Sequence, residues 1–331
     1  MLVMSSTPIL KVENLVKDYY VGVVGRKAVR ALDGVSITVN EKEFVALVGE
    51  SGSGKTTLAR IILRLTPPTM GKVLYRFKND DKLVDVMSLS GDTLKRYRAE
   101  VQGIFQDPYT SFNPFYKVDR ALKVAVRKFL GRNADEDKVI REALTAVRLN
   151  PDEVLGRYPH QLSGGQLQRI SIARALIPRP RLLIADEYIS MVDMSTRADI
   201  VNLTRDLIDA YGMSIIMITH EMSTALYASD RTIVLFKGMI VEEGDTKKIM
   251  KNPLHPYTQL LIEALPSIEE RKERKILAKT IEVQRSGVIT QAVRGCPFAP
   301  RCPFAKSQCF TTKPKMIEFE KDHHVACWLY T

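Results

Sequence analysis

Cysteine is absent from the first 295 residues of this 331-residue chain; Cys296, Cys302, Cys309 and Cys327 are all it has. A disulfide framework for the body is therefore excluded, and four thiols clustered at one end point to metal or redox chemistry instead. Also absent is any apolar run of the roughly 18–20 residues a bilayer span requires. The start, "MLVMSSTPIL", lacks a basic n-region and a clear cleavage site, so no signal peptide and a cytoplasmic location are expected. No internal repeat and no low-complexity tract is present. Acidic residues are in deficit: 38 Asp and Glu against 49 Lys and Arg leave a net charge of +11. That favours anionic partners such as nucleotide phosphates, nucleic acid or an acidic membrane surface, without choosing among them. An apolar content of 45% and a charged content of 26% exclude a disordered or fibrous chain, and the length suits one large domain or two.

What is present reads as alternating strands and helices. "ILKVENLVKDYY" (9–20) and "VSITVNEKEFVALV" (35–48) have short apolar runs and β-branched residues, which predict strands. "TTLARIILRL" carries apolar residues at helical spacing, and Pro67 and Pro68 are expected to stop that helix. Residues 119–150 read as helical with a break near "GRNADED". "RLLIAD" and "SIIMIT" are continuous apolar runs suited to buried parallel strands. "TRADIVNLTRDLIDAYG" is an amphipathic helix ending at Gly212, and "RTIVLFKGMIVEEGD" a hairpin turning at Lys237-Gly238. The main body is thus α/β with a largely parallel sheet. After "EALPS" the composition changes; "IEERKERKILAK" is a charge run that reads as a solvated helix face or linker.

"GESGSGKTT", Gly49–Thr57, fits the phosphate-loop pattern with Gly49, Gly54, Lys55 and Thr56, between a predicted strand and a predicted helix. Gly49, Ser51, Gly52, Ser53, Gly54 and Thr57 complete a cradle whose backbone N–H groups turn towards an anion, at a helix N-terminus. Lys55 would reach the β- and γ-phosphates, and the Thr56 hydroxyl would ligate Mg²⁺. Asp186 ends the run "LLIAD", where a buried carboxylate needs a cation; Mg²⁺ through water would supply it. Glu187 follows and could polarise an attacking water.

"LSGGQLQRISIARAL" (162–176) narrows the class. With it the chain resembles the ATP-binding cassette (ABC) family, whose signature motif Ser163, Gly164, Gly165 and Gln166 match. The resemblance implies a P-loop NTPase fold with a helical signature subdomain, about 107–175, inside a nucleotide-binding domain of 1–265. It implies that the signature turn faces nucleotide bound by a partner subunit. It also assigns Gln106 to the loop that senses Mg²⁺ and touches the membrane subunit. His220 becomes the switch histidine, Asp193 the D-loop aspartate and Tyr19 the aromatic stacked on adenine, with Tyr20 competing for that role. One departure is Tyr188, where the family has proline after the acidic pair. Proline would fix φ, so the loop gains freedom, and the ring is expected to need space near a dimer interface.

"TLARIILRLTPPTMGKV", "FQDPYTSFNP", "NPLHPYTQLLIEALPS" and the tail "GCPFAPRCPFAKSQC…HHVACW" resemble the oligopeptide/dipeptide permease ATPases. This implies a peripheral ATPase on the cytoplasmic face of the membrane, using ATP and Mg²⁺. It would pair with a second homologous ATPase, a heterodimer being favoured over a homodimer. Two separate transmembrane permease subunits and an external solute-binding protein would complete an importer of oligopeptides or dipeptides, with oligosaccharides as the alternative solute. A non-transport ATPase acting on nucleic acid or the ribosome fits less well. Such proteins often carry two cassettes or a long coiled-coil insertion, and this chain has neither.

The extension, 266–331, holds the four cysteines as C-x₅-C-x₆-C-x₁₇-C, with Pro297 and Pro303 directly after two of them. Four thiolates from a short segment with little apolar mass predict a metal centre. The expectation is a [4Fe–4S] cluster on Cys296, Cys302, Cys309 and Cys327, with tetrahedral zinc as the alternative. His323 and His324 rank behind the cysteines as ligands, and buried free thiols are the remaining reading.

Overall fold

The computed structural model describes residues 7–21, 27–265 and 294–331; the charge run "IEERKERKILAK" lies outside them. Three strands open the chain: β1 (Pro8–Val21), β2 (Lys27–Asn40) and β3 (Phe44–Val48). The run 35–48 is thus two strands, divided by a turn in which Lys42 takes a left-handed φ of 58°. Helix α1 (Lys55–Ile62) follows the phosphate loop. It ends before the two prolines, where Arg64 turns left-handed at φ 54°. Strands β4 (Met70–Arg76) and β5 (Leu83–Asp85) join β1 and β2 in a four-stranded antiparallel sheet of order β2-β1-β4-β5.

After α2 (Gly91–Glu100) and β6 (Val101–Ile104) the chain leaves the sheets for a helical layer. This contains α3 (Val118–Phe129), α4 (Glu136–Ala146), α5 (Pro151–Val154) and α6 (Gly164–Leu176). It returns through β7 (Leu182–Asp186), α7 (Met194–Tyr211), β8 (Ser214–Thr219), α8 (Met222–Ala228) and β9 (Arg231–Phe236). Strand β10 (Met239–Asp245) turns back from β9 through Lys237 and Gly238, both at positive φ, as a tight hairpin requires. Helices α9 (Thr246–Lys251) and α10 (Pro256–Glu263) follow, and the extension supplies α11 (Ser307–Thr311), β11 (Ile317–Glu320) and β12 (His323–Val325).

The large sheet has the order β11-β12-β10-β9-β3-β8-β7-β6. Its middle, β9 to β6, is parallel, and β3, β8 and β7 are buried on both faces. That explains the unbroken apolar runs: with a side-chain period of two, each strand feeds two cores. Phe44, Ala46 and Val48 pack with the helical layer, through Leu122, Leu144 and Ile170, and with Leu203 of α7. Val45 and Leu47 pack the other way, with Leu58 and Ile61 of α1 and Leu10, Val12 and Val73 of the antiparallel sheet. Each such fully buried Val, Leu, Ile or Phe side chain contributes about 1.5–3 kcal/mol, so these two clusters hold the parallel strands in place.

The extension is continuous with the body. Strand β12 pairs with β10, His323 opposite Gly244 and Val325 opposite Glu242. Glu242 is fully buried there, and its carboxylate accepts three hydrogen bonds: from the N–H of Leu254 (2.9 Å), the N–H of His255 (2.8 Å) and Nε2 of His323 (2.8 Å). A buried charge on three donors is the satisfied arrangement. It ties the tail to the sheet edge.

Candidate nucleotide site

The parallel strands β3, β8, β7 and β6 all end at one edge, where a doubly wound sheet offers a ligand crevice. The phosphate loop leaves β3 there. A Cβ on Gly49 would lie 2.1 Å from the Leu235 carbonyl oxygen, and one on Gly54 2.5 Å from that of Ala31. The loop is therefore wedged between β9 and β2, and only glycine fits at its two ends. Ser53 and Lys55 are buried, whereas Ser51, Gly52 and Thr56 are exposed and Thr57 is half-buried. Lys55 Nζ donates to the carbonyl oxygens of Gly49 (2.6 Å) and Glu50 (2.9 Å), and 3.4 Å away lies Ser53 Oγ. Burial pulls the Lys55 pKa below its ordinary value, against the carboxylates of Glu187, Asp186 and Glu50, which favour its charge.

Asp186, the last residue of β7, is buried and receives a 3.4 Å hydrogen bond from Thr56 Oγ1. Burial raises its pKa, the Thr56 bond counters this, and neighbouring Glu187 adds to the rise. A carboxylate so placed gains most from a nearby cation. Glu187 takes a left-handed φ of 45°, a strained conformation for a side-chain-bearing residue, fixed by its N–H donating to the Ile218 carbonyl (3.0 Å). That twist brings Glu187 Oε1 to 3.5 Å from Nδ1 of His220, which follows β8. Ile104 of β6 lies opposite Ala185 of β7, so Gln106, two residues on and exposed, emerges at the same edge as Asp186. The sheet thus brings together Lys55, Thr56, Asp186, Glu187 and His220, with Gln106 beside them.

The signature turn belongs to a different neighbourhood. Ser163 caps α6, accepting from the Gln166 N–H (3.1 Å), while Gln166 Oε1 accepts from the Ser163 N–H (3.0 Å). A Cβ on Gly165 would lie 2.8 Å from Thr196 Cγ2, so the turn packs against the start of α7, whose N-cap is Asp193 (3.0 Å to the Thr196 N–H). Among the described residues no hydrogen bond or ion pair joins the signature turn to the phosphate loop. Tyr19 lies on β1 opposite Val29, partly exposed, with Lys17 Nζ 5.0 Å from its ring centre; Tyr20 is more exposed, on the other face of the strand.

Tyr188 departs from expectation. Its ring does not project to a surface. It is buried in the helical-side core, and its hydroxyl donates to Thr204 Oγ1 of α7 (3.1 Å). Burial pushes its pKa up to about 12.

The expected metal centre in the tail is overturned. Among the described residues no group of three or more His, Cys, Asp or Glu side chains is arranged to hold a metal ion. Cys296, Cys302, Cys309 and Cys327 do line one cavity, with His255, Phe298 and Trp328, but as free thiols around only ≈ 20 Å³ of open space. That is little more than one water needs. Burial pushes the Cys296 thiol up to about 11 and Cys302 to about 12, and raises Cys327. Cys296 sits in an apolar cluster with Phe236, Tyr257 and Phe298, with Cys302 and Cys309 packed against it, while Cys327 packs with Leu254 and Val325; neither the [4Fe–4S] cluster nor zinc stands. His323 is committed to Glu242.

One pair of site contacts was not foreseeable. Arg301 of the tail makes a two-pronged ion pair with Glu50 of the phosphate loop, both contacts 2.9 Å, and Tyr257 Oη accepts from the Glu50 N–H (2.8 Å). Residues 251 positions apart carry no local pattern that would link them.

A glycine cradle, a buried lysine and an acidic strand end on a parallel sheet define a P-loop nucleotide-binding protein. Residues 32–190 match the ABC transporter family, and residues 241–309 match the oligopeptide/dipeptide transporter C-terminal region. The chain is 39% identical to an ATP-binding protein of Brucella ovis named for peptide import, over 98% of both chains. It is 38% identical to the oligopeptide transport ATP-binding protein OppF of Salmonella typhimurium, over 91% of this chain and 88% of OppF. Among solved structures it resembles the dimeric, ADP- and Pi-bound ATP-binding cassette MJ0796 (29% identity, TM-score 0.61, 72% of this chain and 99% of that one). It also resembles cbiO1 of Clostridium perfringens (25% identity, TM-score 0.62, 74% and 92%). The chain belongs to the ABC transporter family, as an ATP-hydrolysing subunit of its peptide and oligopeptide import branch.

Proposed function

We propose that this chain powers uptake of oligopeptides or dipeptides by binding ATP at the sheet edge and hydrolysing it in a dimer. The observation that carries the reading is the convergence of Lys55, Thr56–Asp186 and Glu187–His220 on one edge. The fixed cradle at Gly49 and Gly54 and the buried Lys55 fit the β- and γ-phosphates. Thr56 and Gln106 would hold Mg²⁺, with Asp186 acting through water; the ion supplies charge neutralisation on the phosphates. Glu187 orients the attacking water and His220 holds the Glu187 side chain. Tyr19 offers its ring to the adenine.

The signature turn lies apart from its own phosphate loop, which supports a site completed across a dimer, with Ser163 to Gln166 acting on the partner's nucleotide and Asp193 at the junction. A heterodimer with a second homologous ATPase, two transmembrane permeases and an external solute-binding protein make up the importer, with this chain peripheral on the cytoplasmic side. Among its described residues no helix is long and apolar enough to cross a membrane. A groove of ≈ 480 Å³ beside β6, lined by Phe112, Tyr116, Arg120, Lys128 and Arg174, supports docking of a membrane subunit there.

The test is uptake of a labelled tripeptide by cells deleted for this chain. Wild-type chain restores uptake and Lys55→Met does not, although it accumulates to the same level. Uptake that is unaffected by the deletion would refute the peptide assignment.

A further inference from the structure

The hydrogen bonds of the phosphate loop converge on Glu50. Its carbonyl accepts from Lys55 Nζ (2.9 Å) and from the Ser53 N–H (3.1 Å). Its N–H and its carboxylate are both taken by residues C-terminal to the hairpin: the N–H by Tyr257 of α10, the carboxylate by both terminal nitrogens of Arg301. Arg301 is itself held. Its guanidinium lies over the rings of Phe236 and Phe298, 5.6 and 5.4 Å from their centres, and Tyr257 packs against both rings. Phe298 is fully buried in the cluster that contains Cys296. A planar fork on a carboxylate, stacked on aromatic faces, fixes direction as well as distance.

Phosphate oxygens would compete with the Gly49 and Glu50 carbonyls for the Lys55 ammonium, so the loop's internal bonds to Lys55 are the ones a bound nucleotide would draw on. The ties from Arg301 and Tyr257 come from outside the loop and do not involve Lys55. We propose that the C-terminal extension braces the phosphate loop, with Arg301 as a positioning residue for ATP that acts through Glu50. This rests on the nucleotide site proposed above and adds to it a role for the extension.

The experiment titrates the purified full-length chain with a fluorescent ATP analogue and Mg²⁺, and measures KM and kcat for ATP in the assembled transporter. Arg301→Met and Glu50→Gln are each expected to raise Kd and KM by about 3- to 10-fold, at the lower end of the range for coupled contacts, with kcat within about twofold. The double variant should be no worse than either single one. Arg301→Lys, which keeps the charge and loses the fork, should fall between. Lys248→Met removes a different tie, from Lys248 Nζ to the Lys321 carbonyl of the tail, and should lower Tm while leaving Kd unchanged. Wild-type Kd in Arg301→Met, or losses that multiply in the double variant, would overturn the brace. Should Arg301→Met fail to fold, Glu50→Gln and Arg301→Lys carry the same comparison. A wild-type chain that binds no ATP would instead sink the nucleotide site itself.

Discussion

The Tyr188 hydroxyl donates to Thr204 Oγ1 at 3.1 Å, and Thr204 in turn donates to the Ile200 carbonyl at 2.7 Å. The residue standing where the family has proline is therefore a core residue of the helical side, anchored to α7. Tyr188→Phe keeps the ring and leaves Thr204 bonded to its own helix, so it should cost about 1 kcal/mol of stability. Tyr188→Ala removes the ring and should cost about 3–5 kcal/mol. Urea unfolding measures both; equal losses would show that the ring is not packed as described.

His323 lies between Glu242 and Glu320, its Nε2 2.8 Å from Glu242 Oε1 and its Nδ1 3.3 Å from Glu320 Oε1. Burial works to lower its pKa, but the hydrogen bonds and charges of the two carboxylates outweigh it and the net shift is upward. A raised folded pKa means the protonated pair stabilises fully below the unfolded value of about 6.5, and that stability is lost as pH rises through the higher folded value. Unfolding midpoints should therefore fall with rising pH across that window. His323→Gln should flatten the dependence, while breaking the buried pair costs about 3–5 kcal/mol at pH 6. A wild-type midpoint that rises across the window would contradict the assignment.

Gly164 offers a test of the trans arrangement. A Cβ there meets only the Met191 carbonyl, at 3.4 Å, so a side chain is tolerated within the subunit. Gly164→Tyr should leave ATP affinity at Lys55 within about twofold and abolish ATP-dependent dimerisation, because the ring would occupy the space facing the partner's nucleotide. Light scattering with and without ATP reads this. Wild-type dimerisation in the variant would place the signature turn elsewhere.

The parallel core was legible because strands buried on both faces must be apolar throughout, as in "LLIAD" and "SIIMIT". The candidate phosphate loop was legible because phosphate chemistry fixes spacing: a glycine cradle, then Lys55, needs strand and helix in immediate succession. Strand β2 is legible only from Val35 onward, since "AVRALDG" is partly exposed and lacks clean alternation. The end of α1 was misplaced because a left-handed Arg64 leaves no compositional mark before the prolines. The inward turn of Tyr188 depends on the hole it fills beside Thr204, a property of the packed helices. The cysteines illustrate the same limit: spacing brings four thiols to one cavity, but their neighbours, not their spacing, keep them as free thiols.

The central claim is that this chain hydrolyses ATP with Glu187 as the group that orients water. Glu187→Gln preserves shape and the 3.0 Å backbone bond to Ile218, and removes only the carboxylate charge beside His220. Steady-state phosphate release from the assembled transporter, measured with ATP affinity on the same preparation, tests this most directly. The account predicts turnover lower by about 10²-fold or more, with ATP bound as tightly as by wild type. Turnover within a few-fold of wild type at unchanged affinity would contradict it.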